Sequence, residues 1–312
     1  MIIKNNHHKI KEFFSGLAWP FTWLESRYAS AGLLVSIFLI MTVATIAGVL
    51  IFYFIPIGST DITSEEVSSD TGSDNPNCNT LGIEIRDCIM TYRPEGADSI
   101  LSSPDSYCDT ITSSEEVVWN LSDAADNPKI KAVLLEIDSS GGSPAAAEEI
   151  SAARKAPGKP SVAWVRENAD SAAYWIASSA DTIIAGENSD IGSIGVTMSY
   201  VDNAKQNIKD GLTYNQLTTG KYKDTGTADR ALTVDERSLI QRDLDILLQN
   251  FIQVVAINRN LSVAKVTELA DGSSMLGKMA LENGLIDQLG TKTEVWQKLE
   301  AVIGEKPDIC WP

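Results

Sequence analysis

IKAVLLEID (130–138), SSGGSP (139–144) and AAAEEISAARKA (145–156) follow one another directly. The first is a short apolar run rich in Val, Leu and Ile, which predicts a buried strand. The second has the small, turn-forming residues of a tight turn, and the third is Ala-rich and reads as a helix. A buried strand that passes into a helix through a short turn is the unit of an α/β domain with parallel pairing.

The unit repeats on both sides. Upstream, LGIEIRDCIMTY (81–92) alternates like a strand. SSEEVVWNLSDAADN (113–127) then carries a helical stripe of Val117, Val118, Leu121 and Ala125, with Ser113 and Glu116 placed as a capping box and Asn127-Pro128 as a stop. Downstream come a strand at SVAWV (161–165), a helix at SAAYWIASSA (171–180) and a short strand at DTIIAG (181–186). The last third is helical. DERSLIQRDLDILLQNFIQVVAINRN (235–260) has apolar residues at helical spacing, and LSVAKVTELADG (261–272) closes on a glycine suited to a C-cap. The chain contains no internal repeat.

Toward the N-terminus the texture changes. Residues 31–57, AGLLVSIFLIMTVATIAGVLIFYFIPI, hold no charge. About 20 apolar residues cross a bilayer, so this run predicts a transmembrane anchor, longer than the apolar core of a cleaved signal peptide. It is preceded by a short segment (1–30) and followed by GSTDITSEEVSSDTGSDNPN (58–77), too polar to bury a core and read, together with Cys78, as an acidic tether (58–78). Residues 79–312 form the remaining domain. Lys4, Lys9, Lys11 and Arg27 against Glu12 and Glu25 give residues 1–57 a net charge of +2, which leaves −19 of the total −17 on the rest. By the positive-inside rule the N-terminus is expected in the cytoplasm and the domain outside a bacterial inner membrane. The acidic balance argues against a nucleic-acid partner. Cys78, Cys88, Cys108 and Cys310 all follow the span; four cysteines in an oxidising compartment predict two disulfides, with three pairings open.

Histidine sets the sharpest chemical constraint. The chain has two, His7 and His8, both before the apolar run. With the domain across a membrane neither reaches it, which excludes a Ser-His-Asp triad and zinc sites built on histidine. Nucleophilic catalysis then needs another base, and a lysine serves when burial depresses its pKa. Three loops offer the parts. Asp138-Ser139-Ser140-Gly141-Gly142-Ser143 places backbone N–H groups at a helix N-terminus, as an oxyanion hole requires, and lacks the lysine of a phosphate loop. Ala169-Asp170-Ser171-Ala172-Ala173-Tyr174 puts Ser171 in the first turn of a helix, where taken alone it reads as an ordinary cap. Gly192-Ser193-Ile194-Gly195-Val196 precedes Thr219-Gly220-Lys221-Tyr222-Lys223-Asp224, within which composition does not choose between Lys221 and Lys223.

In order and spacing, SSGG (139–142), DSAAYWIASSAD (170–181), GSIGV (192–196), GKYK (220–223), ADG (270–272) and GLIDQLG (284–290) resemble the bacterial signal peptide peptidase A family, over about residues 80–300. The resemblance implies a ClpP/crotonase-like spiral of βα units with a helical C-terminal part, here preceded by one transmembrane helix. By position it implies Ser171 as nucleophile, Lys223 as general base, Ser193 as the hydroxyl partnering the lysine amine, and the N–H groups of Gly142 and Ala172 as oxyanion donors. It further implies peptide substrates such as signal peptide remnants, a homo-oligomeric ring whose active sites combine Ser and Lys from adjacent subunits, and no metal or organic cofactor.

Three positions depart from the family pattern. Asp170 replaces the usual Ala and sets a carboxylate beside the nucleophile, where its charge would raise the lysine pKa. Ser140 replaces Pro, and Ala172-Ala173 replace Gly-Gly, keeping the donors while narrowing the floor of the site. Two other readings share the fold: a membrane-anchored peptide-binding scaffold without catalysis, and a Ser-Lys protease dedicated to one stomatin-like membrane partner. A crotonase-type coenzyme A enzyme is disfavoured, because an extracytoplasmic site has no supply of that cofactor.

Overall fold

Strand β3 (Ala132–Gly142) occupies the centre of the sheet, and its side chains show why. Leu134, Leu135 and Ile137 are fully buried, with Leu134 facing one layer of core and Val133, Leu135 and Ile137 facing the other. A strand buried on both faces belongs in a parallel sheet covered on both sides. The computed structural model describes residues 78–97 and 108–312. The expected segments 1–30 and 31–57, and the tether up to residue 77, lie outside the described residues. Among the described residues no helix is long and apolar enough to cross a membrane.

The path through the sheet is β2 (Ile111–Ser113), β1 (Thr80–Met90), β3, β4 (Ser161–Asp170), β5 (Thr182–Ala185) and β8 (Gln288–Leu289), every pairing parallel. Strand β9 (Ile309–Cys310) adds to β1. Off this path, β6 (Asp190–Gly192) pairs with the end of β4 and, antiparallel, with β7 (Ser274–Leu276). Helices α1 (Ser114–Asp126), α2 (Pro144–Lys155), α3 (Ala172–Ser178) and α5 (Val234–Arg259) contribute to the larger core through Leu121, Ile150, Ile176, Phe251 and Val255. The short helices α6 (Val263–Leu269) and α7 (Gly277–Glu282) add Val266 and Ala280 to this core, whereas α4 (Ala204–Lys209) buries no residue. On the opposite face Val295 and Leu299 of α8 (Lys292–Ile303) pack on Leu134, Val162, Trp164 and Ile184.

The expected α/β alternation is present, with local differences. The SSGG stretch is not a turn: Ser139, Gly141 and Gly142 continue β3, past a bulge, in register with Ala169, Cys88 and Ile89. Gly142 is required there, because a Cβ would lie 2.1 Å from the Ile89 carbonyl oxygen. Ser113 does cap α1, accepting from the Glu116 N–H, but no reciprocal bond from Glu116 completes the box. Helix α6 stops at Leu269 with Ala270 as its C-cap, and Gly272 does not cap it: the Gly272 N–H donates to the Ile194 carbonyl.

Two of the chain's acidic motif positions hold the scaffold together. Asp181 accepts from the Ser161 N–H and hydroxyl, both at 2.8 Å, and from Arg154. Asp287 accepts from the Ile183 N–H at 2.7 Å and pairs with Arg259, while the buried Tyr174 hydroxyl donates to the Leu285 carbonyl. The four cysteines form Cys78–Cys310, which joins the entry of β1 to β9, and Cys88–Cys108.

Candidate active site

The end of β4 turns abruptly into α3, and Ser171 is the residue that makes the turn. Its backbone sits at φ 52 and ψ −122, a conformation that costs a non-glycine residue roughly 1–3 kcal/mol. The surroundings enforce it: the Ser171 N–H donates to the Gly192 carbonyl at 2.8 Å and its carbonyl accepts from the Trp175 N–H at 3.0 Å. The hydroxyl makes no capping bond. Ser171 is therefore at the cap position without acting as a cap. A strained strand-to-helix turn with an unengaged hydroxyl is how folds present a serine nucleophile.

Ser171 opens into a cavity of about 730 Å3 whose lining includes Ser140, Gly142, Ala172 and Ser193. Four of the sequence-predicted site residues, Ser171, Ala172, Gly142 and Ser193, thus meet in one place. Ser193 also has a positive φ of 47, and its hydroxyl donates to the Gly272 carbonyl at 3.2 Å. The glycine before Gly142, given no role of its own in the sequence, also abuts this turn. Gly141, at φ 111, would place a Cβ 2.9 Å from the Ser171 Cβ and 3.1 Å from the Ala172 nitrogen.

Much of the remaining wall is apolar, formed by Trp175, Val196, Leu244, Leu247, Leu248 and Phe251, with Thr197 and Asp271 as polar members of the lining. Trp175 and Phe251 stack with ring centroids 5.0 Å apart. The spacing 244, 247, 248, 251 was legible as a helical stripe, and it faces a cavity as well as the core. Such a wall suits apolar side chains of an extended peptide.

Asp170 is half-buried beside this turn. Burial, and then the carboxylate of Asp190, push it up to about 6. The two acids lie on the paired strands β4 and β6, where Asn168 faces Asp190 and Asp170 faces Gly192. One buried oxygen of Asp170 has no hydrogen-bond partner.

Lys223 is not in the cavity. It is exposed, in a turn within residues 195–235, a stretch containing no buried residue. Among the described residues no hydrogen bond or ion pair holds its ammonium. Lys221 differs: it pairs with Asp235 at 2.6 Å, lies over the Tyr222 ring, and is held well above its usual range by the bond to Asp235. The same exposed stretch carries Val201, Ile208, Leu212 and Leu217, between 60% and 96% exposed.

The profile of peptidase family S49 matches residues 153–304. A protein of Methanocaldococcus jannaschii named as a protease is 35% identical over 184 residues, 58% of each chain. One from Synechocystis, also named as a protease, is 34% identical over 185 residues, 59% of this chain and 67% of its own. A protein of Enterococcus faecium named as a signal peptide peptidase is 32% identical over 179 residues, 56% of this chain and 52% of its own. The chain therefore spans about half to two thirds of the length of these relatives.

Proposed function

This chain belongs to peptidase family S49, the signal peptide peptidase family of serine proteases, and on that premise we propose that Ser171 is its nucleophile and that Lys223, donated by a neighbouring copy, is the general base. The conformation of Ser171 carries the reading: a strained turn and an unused hydroxyl facing a cavity. The exposed Lys223, unpaired among the described residues, supports a shared site, because its arm bears large apolar side chains that no described residue of the chain covers. Lys221 is a poor base, since its ion pair stabilises the protonated form.

Insertion of the Lys223 ammonium into a neighbour's cavity would strip it of water and favour the neutral amine. That amine accepts the Ser171 proton, the serine oxygen attacks the peptide carbonyl, and the N–H groups of Gly142 and Ala172 hold the oxyanion. Ser193 orients the amine. The lysine then passes its proton to the leaving amine, and a water deprotonated by the same lysine hydrolyses the acyl-enzyme.

The apolar wall supports extended apolar peptides as substrates, of which signal peptide remnants are the natural class. The uncharged run at 31–57 and the charge asymmetry around it support a single-pass anchor with the protease domain outside the cytoplasm. The parallel path with β6 and β7 standing off it supports a ClpP/crotonase-like spiral. The test is digestion of a synthetic signal peptide by the full chain across neutral to alkaline pH, read by mass spectrometry. Cleavage lost in both Ser171→Ala and Lys223→Ala is the expected result. Absence of wild-type cleavage in a confirmed oligomer would favour a peptide-binding scaffold.

A further inference from the structure

With no buried residue between 195 and 235, packing does not fix where Lys223 stands. Polar contacts do: Lys221 pairs with Asp235 in the first turn of α5 at 2.6 Å, and the contacts on the other side of Lys223 converge on one guanidinium. Arg230 grips Glu236 with two prongs, Nη1 to Oε2 at 2.8 Å and Nη2 to Oε1 at 2.6 Å. The same Nη2 donates to the Asp224 carbonyl at 3.1 Å, and Nε lies 3.6 Å from the Asp224 carboxylate. That carboxylate accepts from the Tyr214 hydroxyl at 2.7 Å, and the Thr225 hydroxyl donates to Glu236 at 3.3 Å.

Glu236 is the fixed end of this chain of contacts. It is 3% exposed, sits in the first turn of α5, and completes a capping box with Thr233. Helix α5 is also the helix whose Leu244, Leu247, Leu248 and Phe251 line the cavity. The two residues that follow Lys223 in the chain, Asp224 and Thr225, are therefore tied to the catalytic wall through Arg230 and Glu236.

We infer that Arg230 is a positioning residue: by clamping Asp224 to Glu236 it sets the direction in which the Lys223 turn is presented. This rests on the reading of Lys223 as general base. The role is specific to arginine. Its planar fork satisfies both Glu236 oxygens while a remaining N–H reaches the Asp224 carbonyl, and a lysine ammonium cannot span all three.

The test uses the full-length chain, a fluorogenic apolar peptide and four variants. Arg230→Gly is expected to lower kcat at least ~10-fold with KM nearly unchanged, because a misdirected base affects the chemical step rather than peptide binding. Low-millimolar guanidinium should restore much of that loss, as it would not for a merely structural defect. Arg230→Lys should also lose kcat while melting and assembling like wild type, which keeps the claim testable if the glycine variant does not assemble. Arg242→Gln, at an exposed pair with Asp243, should match wild type. Lys223→Ala should be inactive and beyond rescue. Wild-type kcat in Arg230→Lys or Arg230→Gly, alongside an inactive Lys223→Ala, would overturn the positioning role and leave the base assignment standing. An active Lys223→Ala would remove both.

Discussion

Gly141→Ala should damage catalysis far more than folding. The new Cβ would lie 2.9 Å from the Ser171 Cβ, 3.0 Å from the Asp170 carbonyl oxygen and 3.1 Å from the Ala172 nitrogen. Non-bonded carbons settle at about 3.5–4.0 Å, so β3 and the nucleophile turn must separate by about half an ångström or more. The backbone at φ 111 adds strain, and together these cost roughly 1–3 kcal/mol of stability. The displaced atoms include the proposed nucleophile and the proposed oxyanion donor of Ala172. A shift approaching 1 Å in such groups costs up to about 10²-fold in rate. The measurements are kcat on a fluorogenic apolar peptide, labelling of Ser171 by a fluorophosphonate, and urea unfolding. Gly142→Ala is the informative contrast: a Cβ 2.1 Å from the Ile89 carbonyl must push β1 away, so stability should fall more. A Gly141→Ala protein with kcat within two-fold of wild type would refute the argument that this contact sets Ser171.

Asp170 holds its proton more tightly folded than unfolded, so its contribution to stability is present at low pH and fades as pH rises from 3.8 toward 6. Asp170→Asn should therefore gain about 1–2 kcal/mol over wild type above pH 7, once solvent screening of a half-exposed group is allowed for, measured by urea unfolding at two pH values. The same substitution removes a negative charge near the proposed base and should move the acid limb of the kcat profile to lower pH. Leu247→Asp should cut kcat/KM for apolar peptides by about 10-fold or more through lost apolar contact, with little change toward a small ester substrate. Cys310→Ser opens a disulfide spanning 232 residues and should lower unfolding free energy by about 2–5 kcal/mol, read by denaturant titration.

The fold was legible because burial on both faces leaves uninterrupted apolar runs such as Val133–Leu135 and Val162–Val165, which no surface strand would carry. What the sequence could not convey was contact between distant backbones. SSGG reads as a turn by composition, yet it is strand because the β1 backbone at Ile89 lies too close for any side chain. Ser171 reads as a helix cap, yet its N–H is claimed by Gly192 and its backbone is forced into an unusual conformation. Composition did not choose between Lys221 and Lys223, and the pairing of Lys221 with Asp235 depends on a partner on another element. The proximity of Asp170 to Asp190 likewise depends on the register of β4 against β6. The order of the motifs located the pocket; Gly141, Trp175 and Arg230 emerged only when the elements were packed.

The account stands or falls on whether a site draws its serine from one copy and its lysine from another. Ser171→Ala and Lys223→Ala proteins, each inactive alone, would be unfolded, mixed in equal amounts and reassembled, with mixed assembly verified by mass. Random assembly around a ring makes about one site in four complete, so the mixture should recover about a quarter of wild-type peptidase activity. A verified mixed assembly with no activity would contradict the shared site.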